Sequence, residues 1–269
     1  MIKVNFYLRN VVAIAICLAG MTMFSGCDKE KKDDPDSGET PTTNVRLVKE
    51  VVFFNDEYIV EYDYDAQNRI TKISGVGYGG SYMSTFSYPS VNTMFVHSSD
   101  GTETIMLNND GSIRLNGEES YTYVNGYLQK EEWSWNPNSG YEGDIATATR
   151  TYTWENENIT KYVYDLQYSV TSEYNRTWTG IHEYGELPNK ATSIDFGHFL
   201  LQGDGIPYPP HGWWGKSIAK LPTKASVMGD GRLVLVSYRY ETDAEGYITK
   251  VYQTWDGKAE ELWISIHYK

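Results

Sequence analysis

Cysteine is almost missing from this 269-residue chain, which has only Cys17 and Cys27. Cys17 lies inside an apolar leader and Cys27 directly follows it, so the remaining domain has no free thiol. That excludes a disulfide framework, a Cys-rich zinc site and a cysteine nucleophile. Positive charge is scarce as well: 23 Lys and Arg face 36 Asp and Glu, for a net charge of −13. An acidic chain repels phosphate backbones, and no basic patch with interleaved aromatics offsets this, so nucleic acid is not expected as a partner. The five histidines, at 97, 182, 198, 211 and 267, form no H-E-x-x-H or other helical metal pair. There is no G-x-S-x-G elbow and no P-loop, and no cofactor or catalytic residue is expected.

Long hydrophobic runs are also lacking. The longest, Val11 to Phe24, follows Lys3 and Arg9. It falls short of the roughly 20 residues of a bilayer span and suits the apolar region of a secretion signal. Its end, Phe24-Ser25-Gly26-Cys27, resembles a bacterial lipoprotein box, cut before the cysteine and lipidated on it. The expected organisation is a signal over residues 1–26, lipidated Cys27 with a disordered acidic tether over 27–44, and one domain over 45–269. Loss of Lys3 and Arg9 with the signal would move the charge from −13 to −15. The acidic residues after Cys27 resemble a surface-export signal of Bacteroidetes lipoproteins. The expectation is therefore an outer-membrane-anchored protein of the cell envelope, touching the membrane through its N-terminal lipid.

What the domain does have is alternation. Ala146, Ala148, Arg150, Tyr152 and Trp154 alternate with threonines at 147, 149, 151 and 153, and Ser84 and Phe86 with Met83 and Thr85. Leu262, Ile264, Ile266 and Tyr268 alternate with Trp263, Ser265 and His267 in the same way. A period of two means one buried and one solvated face, the habit of antiparallel sheets. Twenty-three tyrosines suit such a half-wet surface. Turn pairs punctuate the strands, among them Asp110-Gly111, Asn125-Gly126, Asp230-Gly231 and Asp256-Gly257.

One phrase recurs: YDYDAQNRITKI from Tyr62, YTYVNGYLQKE from Tyr121, YTWENENITKY from Tyr152 and YRYETDAEGYITKV from Tyr238. Each reads as strand, polar turn, strand. A residue set used repeatedly is scaffold rather than site. The fold expected is all-β, a many-stranded antiparallel meander forming a strongly curved sheet or an up-and-down barrel-like structure.

Three other motifs need weighing. Gly75, Gly77 and Gly80 satisfy G-x-G-x-x-G, but a strand follows where a dinucleotide site needs a helix, so the stretch reads as a flexible hairpin loop. The adjacent acids Glu118-Glu119, Glu131-Glu132 and Glu260-Glu261 point to opposite faces of a strand and do not make catalytic pairs. The stretch 197–221 breaks the alternation and reads as a short helical turn near His198 to Leu201 followed by a long irregular loop, the kind of segment that often carries function. Within it Tyr208, His211, Trp213 and Trp214 are the candidate ligand-contact residues, against the alternative that they pin the loop to the sheet. Asp195, His198, Asp204 and His211 lack metal-site spacing, and no metal is expected.

The Tyr-Asp phrases, together with NKATSIDFGHFL (Asn189–Leu200) and GWWGKSIAKLPTKA (Gly212–Ala225), resemble a domain-of-unknown-function family of Bacteroidetes lipoproteins described as having a porin-like β fold. The Trp213-Trp214 pair departs from the aliphatic-aromatic pair expected there. The resemblance implies a fold and an envelope location, but no activity and no catalytic residues. A membrane pore is not implied, because a pore needs a continuous lipid-facing apolar band that these strands lack. The function expected is a non-enzymatic module that binds an apolar or amphipathic ligand such as a lipid. The alternatives are a surface scaffold contacting envelope proteins or glycans, and a hydrolase.

Overall fold

The computed structural model describes residues 46–53, 58–77, 80–137, 144–190 and 213–269. Sixteen strands follow one another: β1 (Val48–Phe53), β2 (Tyr58–Tyr64), β3 (Ile70–Gly77), β4 (Gly80–Ser90), β5 (Thr93–Ser98), β6 (Gly101–Leu107), β7 (Ile113–Asn116), β8 (Glu119–Val124), β9 (Tyr127–Trp135), β10 (Ala146–Glu155), β11 (Asn158–Tyr168), β12 (Arg176–Pro188), β13 (Lys220–Gly229), β14 (Arg232–Thr242), β15 (Ile248–Trp255) and β16 (Glu261–Tyr268). Each pairs antiparallel with its neighbours in sequence, and β16 closes on β1, Ile266 opposite Val51, to make a closed barrel. Closure leaves no sheet edge exposed. The one described helical piece is a 3-10 turn, Ser172–Tyr174, between β11 and β12.

The alternation decides which side faces in. Ala146, Ala148, Arg150 and Tyr152 are buried while Thr151 and Thr153 are exposed. In β16 the pattern slips. A register shift opposite Val251 and Tyr252 brings both Trp263 and Ile264 inward, because the extra residue of a bulge resets the phase. The outer face carries Lys72–Asp63, Lys130–Glu132, Lys224–Glu183 and Lys250–Glu241 ion pairs among its side chains. Among the described residues no helix is long and apolar enough to cross a membrane.

The two ends of the barrel are built differently. At one end lie the β2–β3, β8–β9, β10–β11 and β14–β15 turns, the turns of all four copies of the recurring phrase. There the first or second residue of every odd-numbered strand is an all but wholly buried aliphatic: Val48, Ile70, Met94, Ile113, Leu128, Ile159, Leu221 and Ile248. Each such burial contributes about 1.5–3 kcal/mol before the cost of ordering the chain. Seven of the eight even-numbered strands add an aromatic donor to this end: Tyr64, Tyr88, Tyr123, Trp154, Tyr184, Tyr240 and Tyr268 each reach a backbone carbonyl at 2.6–2.9 Å. Register shifts lie at or beside Tyr64, Tyr88, Tyr123, Trp154 and Tyr184. A bulge leaves a carbonyl outside the ladder, and the aromatic donor satisfies it, except at Tyr123, which reaches the Trp213 carbonyl of a segment outside the strands. The second aromatic of the Tyr-x-Tyr phrase therefore has a physical task at every copy.

The turns themselves repeat. Asp65 and Asp243 each accept backbone N–H bonds from the residues two and four positions on, and Asn68 and Gly246 take the positive φ that such a turn needs. The β10–β11 turn reaches the same end without glycine, with Asn156 and Glu157 both at positive φ.

Candidate functional site

Tyr208, His211 and Cys27 lie outside the described residues, as do Asp195, His198, Asp204 and the expected helical turn. Trp213 and Trp214 are described, and both are buried, at 0% and 8% exposure. Trp213 packs against Phe86, ring centres 6.0 Å apart, and Trp214 meets Tyr121 edge-on at 5.3 Å. Their segment crosses the aliphatic end of the barrel. The Trp213 carbonyl accepts from Ile113 N–H at 2.9 Å and from the Tyr123 hydroxyl at 2.8 Å. Lys216 N–H donates to the Gly126 carbonyl at 2.7 Å, and Ala219 N–H to the Glu157 carbonyl at 3.0 Å. Asn189 N–H then closes on the Ala219 carbonyl at 2.8 Å. The chain from 213 to 219 thus ties three hairpin ends together, and its indoles face the packed interior.

The G-x-G-x-x-G stretch also has a different place from the loop expected of it. Gly75 and Gly77 are in strand β3. A Cβ on Gly75 would collide with the ring of Tyr82, the residue paired with it across β4, so the glycine makes room for a ring laid flat on the wall.

The opposite end has an open cleft, which sequence reasoning did not single out. A cavity of about 770 Å³ is lined by Arg176, Trp178, Val227, Gly229, Asp230, Arg232 and Val234. These come from the start of β12, the end of β13, the β13–β14 turn and the start of β14. Register brings them together: Trp178 sits opposite Gly229, Gly229 opposite Arg232, and Val227 opposite Val234. The Trp178 indole fills the space that a side chain on Gly229 would take. Asp230 and Gly231 adopt positive φ and turn the chain tightly enough to bring Arg232 back to the same wall.

Arg176 is fixed. Its Nη1 donates to the Glu173 and Asn175 carbonyls at 2.8 and 2.7 Å, and its Nε lies 3.2 Å from the Asp230 carboxylate. Inward from the cleft an aromatic series continues, Trp178 to Tyr164 at 5.2 Å and Tyr164 to Trp133 at 5.8 Å. The Arg150 guanidinium lies 5.4 Å from the Tyr164 ring and 5.5 Å from that of Trp133. Arg150 also pairs with buried Glu131 at 3.0 Å, and the Tyr152 hydroxyl donates to Glu131 at 2.5 Å. Burial opposes the Arg150 charge, but Tyr152 and Glu131 hold the guanidinium protonated. Nearby, Glu119 accepts from the Tyr121 hydroxyl at 2.7 Å; burial raises its pKa, the Tyr121 hydrogen bond opposes that, and the Glu131 charge adds to it. His182 is buried with Nδ1 3.1 Å from the Ile159 carbonyl, and burial lowers its pKa to about 4.

One signal for the cleft is present in the sequence: Gly229, the last residue of β13, is a strand glycine covered by the Trp178 ring. A glycine in a strand often marks such close approach. Among the described residues no group of three or more His, Cys, Asp or Glu is placed to hold a metal.

No family model matches the chain, and no curated protein matches it. Solved structures do. A porin-like protein from Bacteroides vulgatus ATCC 8482 aligns with a TM-score of 0.58 and 11% identity, over 83% of this chain and 99% of that one. A porin-like protein from Bacteroides uniformis ATCC 8492 aligns with a TM-score of 0.50 and 14% identity, over 82% and 96%. At such low identity the shared property is architecture. The chain has the porin-like β-barrel fold of these Bacteroides proteins.

Proposed function

We propose that this is a non-enzymatic binding protein of the cell envelope, anchored through a lipid on Cys27, which takes an amphipathic ligand in the cleft at the open end. One observation carries the reading: the cleft has apolar walls, Trp178, Val227 and Val234, beside guanidinium groups, Arg176 and Arg232. Ligand sites commonly combine an apolar lining with a few placed polar groups. Its single carboxylate, Asp230, is already engaged with Arg176. That leaves no acid–base pair or nucleophile in the lining, which favours binding over the hydrolase alternative. The likeness to porin-like proteins of Bacteroides supports an envelope setting.

The test is displacement of a fluorescent apolar probe from the purified protein. Binding is expected, and Val234→Trp, which fills the cleft, is expected to abolish it. Equal binding by the folded variant would refute the site. Mass spectrometry of the N-terminal peptide, with and without Cys27→Ala, tests the anchor.

A second reading, a scaffold contacting other envelope proteins, draws on the outer wall of the same strands. Ile181, Met228, Leu233 and Leu235 are 48–60% exposed there, with Met228 paired to Leu233. Pull-down from envelope extracts with Met228→Ser/Leu233→Ser as control separates the two readings.

A further inference from the structure

We infer that the cleft is built for an organic carboxylate, with the acid group at Arg232 and the apolar body over Trp178 between Val227 and Val234. This rests on the binding reading above and deepens it by naming the charge and the end of the ligand that is read. Three observations lead to it.

The first concerns the two arginines, which are not equivalent. Arg176 is held by two backbone carbonyls and by Asp230, so its charge is balanced within the protein. Arg232 lines the same cleft, and its side chain makes no ion pair or hydrogen bond among the described residues. In a chain of net charge −13, with 36 acids available, this is an unmatched cation on an apolar wall.

The second concerns position. Arg232 faces Gly229 across the β13–β14 pair, and Trp178 faces Gly229 from the other side. The missing side chain of Gly229 lets the Trp178 indole lie over that position, and Arg232 and Trp178 both line the cleft. Cation and apolar surface therefore border one continuous space.

The third concerns geometry of recognition. A guanidinium presents a planar fork that matches a carboxylate through two parallel N–H bonds, whereas a neutral hydroxyl uses one. The one carboxylate of the lining is committed to Arg176, so the ligand has to bring its own.

The carboxylate has two possible sources, an acyl chain or an acidic sugar, and the experiment separates them. Titration calorimetry of the purified protein is run with octanoate, 1-octanol, glucuronate and inorganic phosphate. Octanoate is expected to bind about tenfold more tightly than 1-octanol, and Arg232→Gln to bring it down to the alcohol's level. Lys224→Gln, on the outer wall, is expected to change nothing. Glucuronate binding without octanoate binding, still dependent on Arg232, supports the carboxylate with a glycan source. Equal affinity for octanoate and 1-octanol, both lost in Val234→Trp, overturns the carboxylate inference and leaves the amphipathic site standing. Phosphate binding as tightly as octanoate overturns it by showing a bare charge site. Binding of none of the four overturns both the inference and the site.

Discussion

The two ends of this barrel solve opposite problems with the same strands. At the end that carries the recurring turns, eight buried aliphatics, seven aromatic donors and the 213–219 segment leave bulged carbonyls satisfied and space filled. At the other end Gly229 gives up its side chain, Trp178 lies in its place, and a cavity of about 770 Å³ remains. Buried aliphatic packing concentrates where the sequence repeats, and the open cleft lies where it does not.

Substitutions that treat the two ends alike should give unlike results. The largest effect is expected from Trp213→Ala, which empties a fully buried site at the closed end. Chemical denaturation should show a loss of about 3–5 kcal/mol. A loss under about 1 kcal/mol would mean that this end is not the stable one.

His182, in the interior, comes next. Its folded pKa is about 4, below the ordinary 6.5, so on acidification the unfolded chain takes up the proton first. The stability from keeping this ring neutral is present above about pH 6.5 and is lost as the pH falls towards 4, about 3 kcal/mol in all. His182→Gln should flatten that part of the stability–pH curve relative to the parent. The Ile159 carbonyl stays satisfied in the variant by the Tyr184 hydroxyl at 2.7 Å.

Tyr240→Phe removes one donor of the aromatic collar, to the Pro222 carbonyl at 2.6 Å. A decrease of about 1 kcal/mol is expected. The smallest effect belongs to the open end. Arg232→Gln should leave stability within about 0.5 kcal/mol of the parent, as an exposed side chain without partners does. A melting temperature lowered as far as by Tyr240→Phe would erase the distinction between the ends.

Much of the scaffold was legible beforehand because its signals are local. The threonine alternation of β10 marks its outer face correctly, and Asn125-Gly126 and Asp230-Gly231 sit at positive φ as their side chains allow. The turn at Asn156-Glu157 lacks a glycine and was legible only through the repeated phrase around it. Trp263 was misplaced, because a bulge changes which neighbour faces inward and leaves no mark in composition. The cleft was not found because Trp178, Val227 and Arg232 each look like ordinary strand residues. Their chemistry arises from cross-strand register over a long sequence separation.

The sequence alone therefore determined the all-β class, the inward and outward faces of β10, the glycine turns and the repeated hairpin, since period-two burial and positive-φ turns are properties of neighbouring residues. Only the tertiary structure decided that β16 closes on β1, that Trp213 and Trp214 pack inside one end, and that Arg232, Gly229 and Trp178 share a wall at the other. Register between strands sets those facts. A shift of a single residue exchanges the faces of a strand, so the cleft exists only once all sixteen have found their partners.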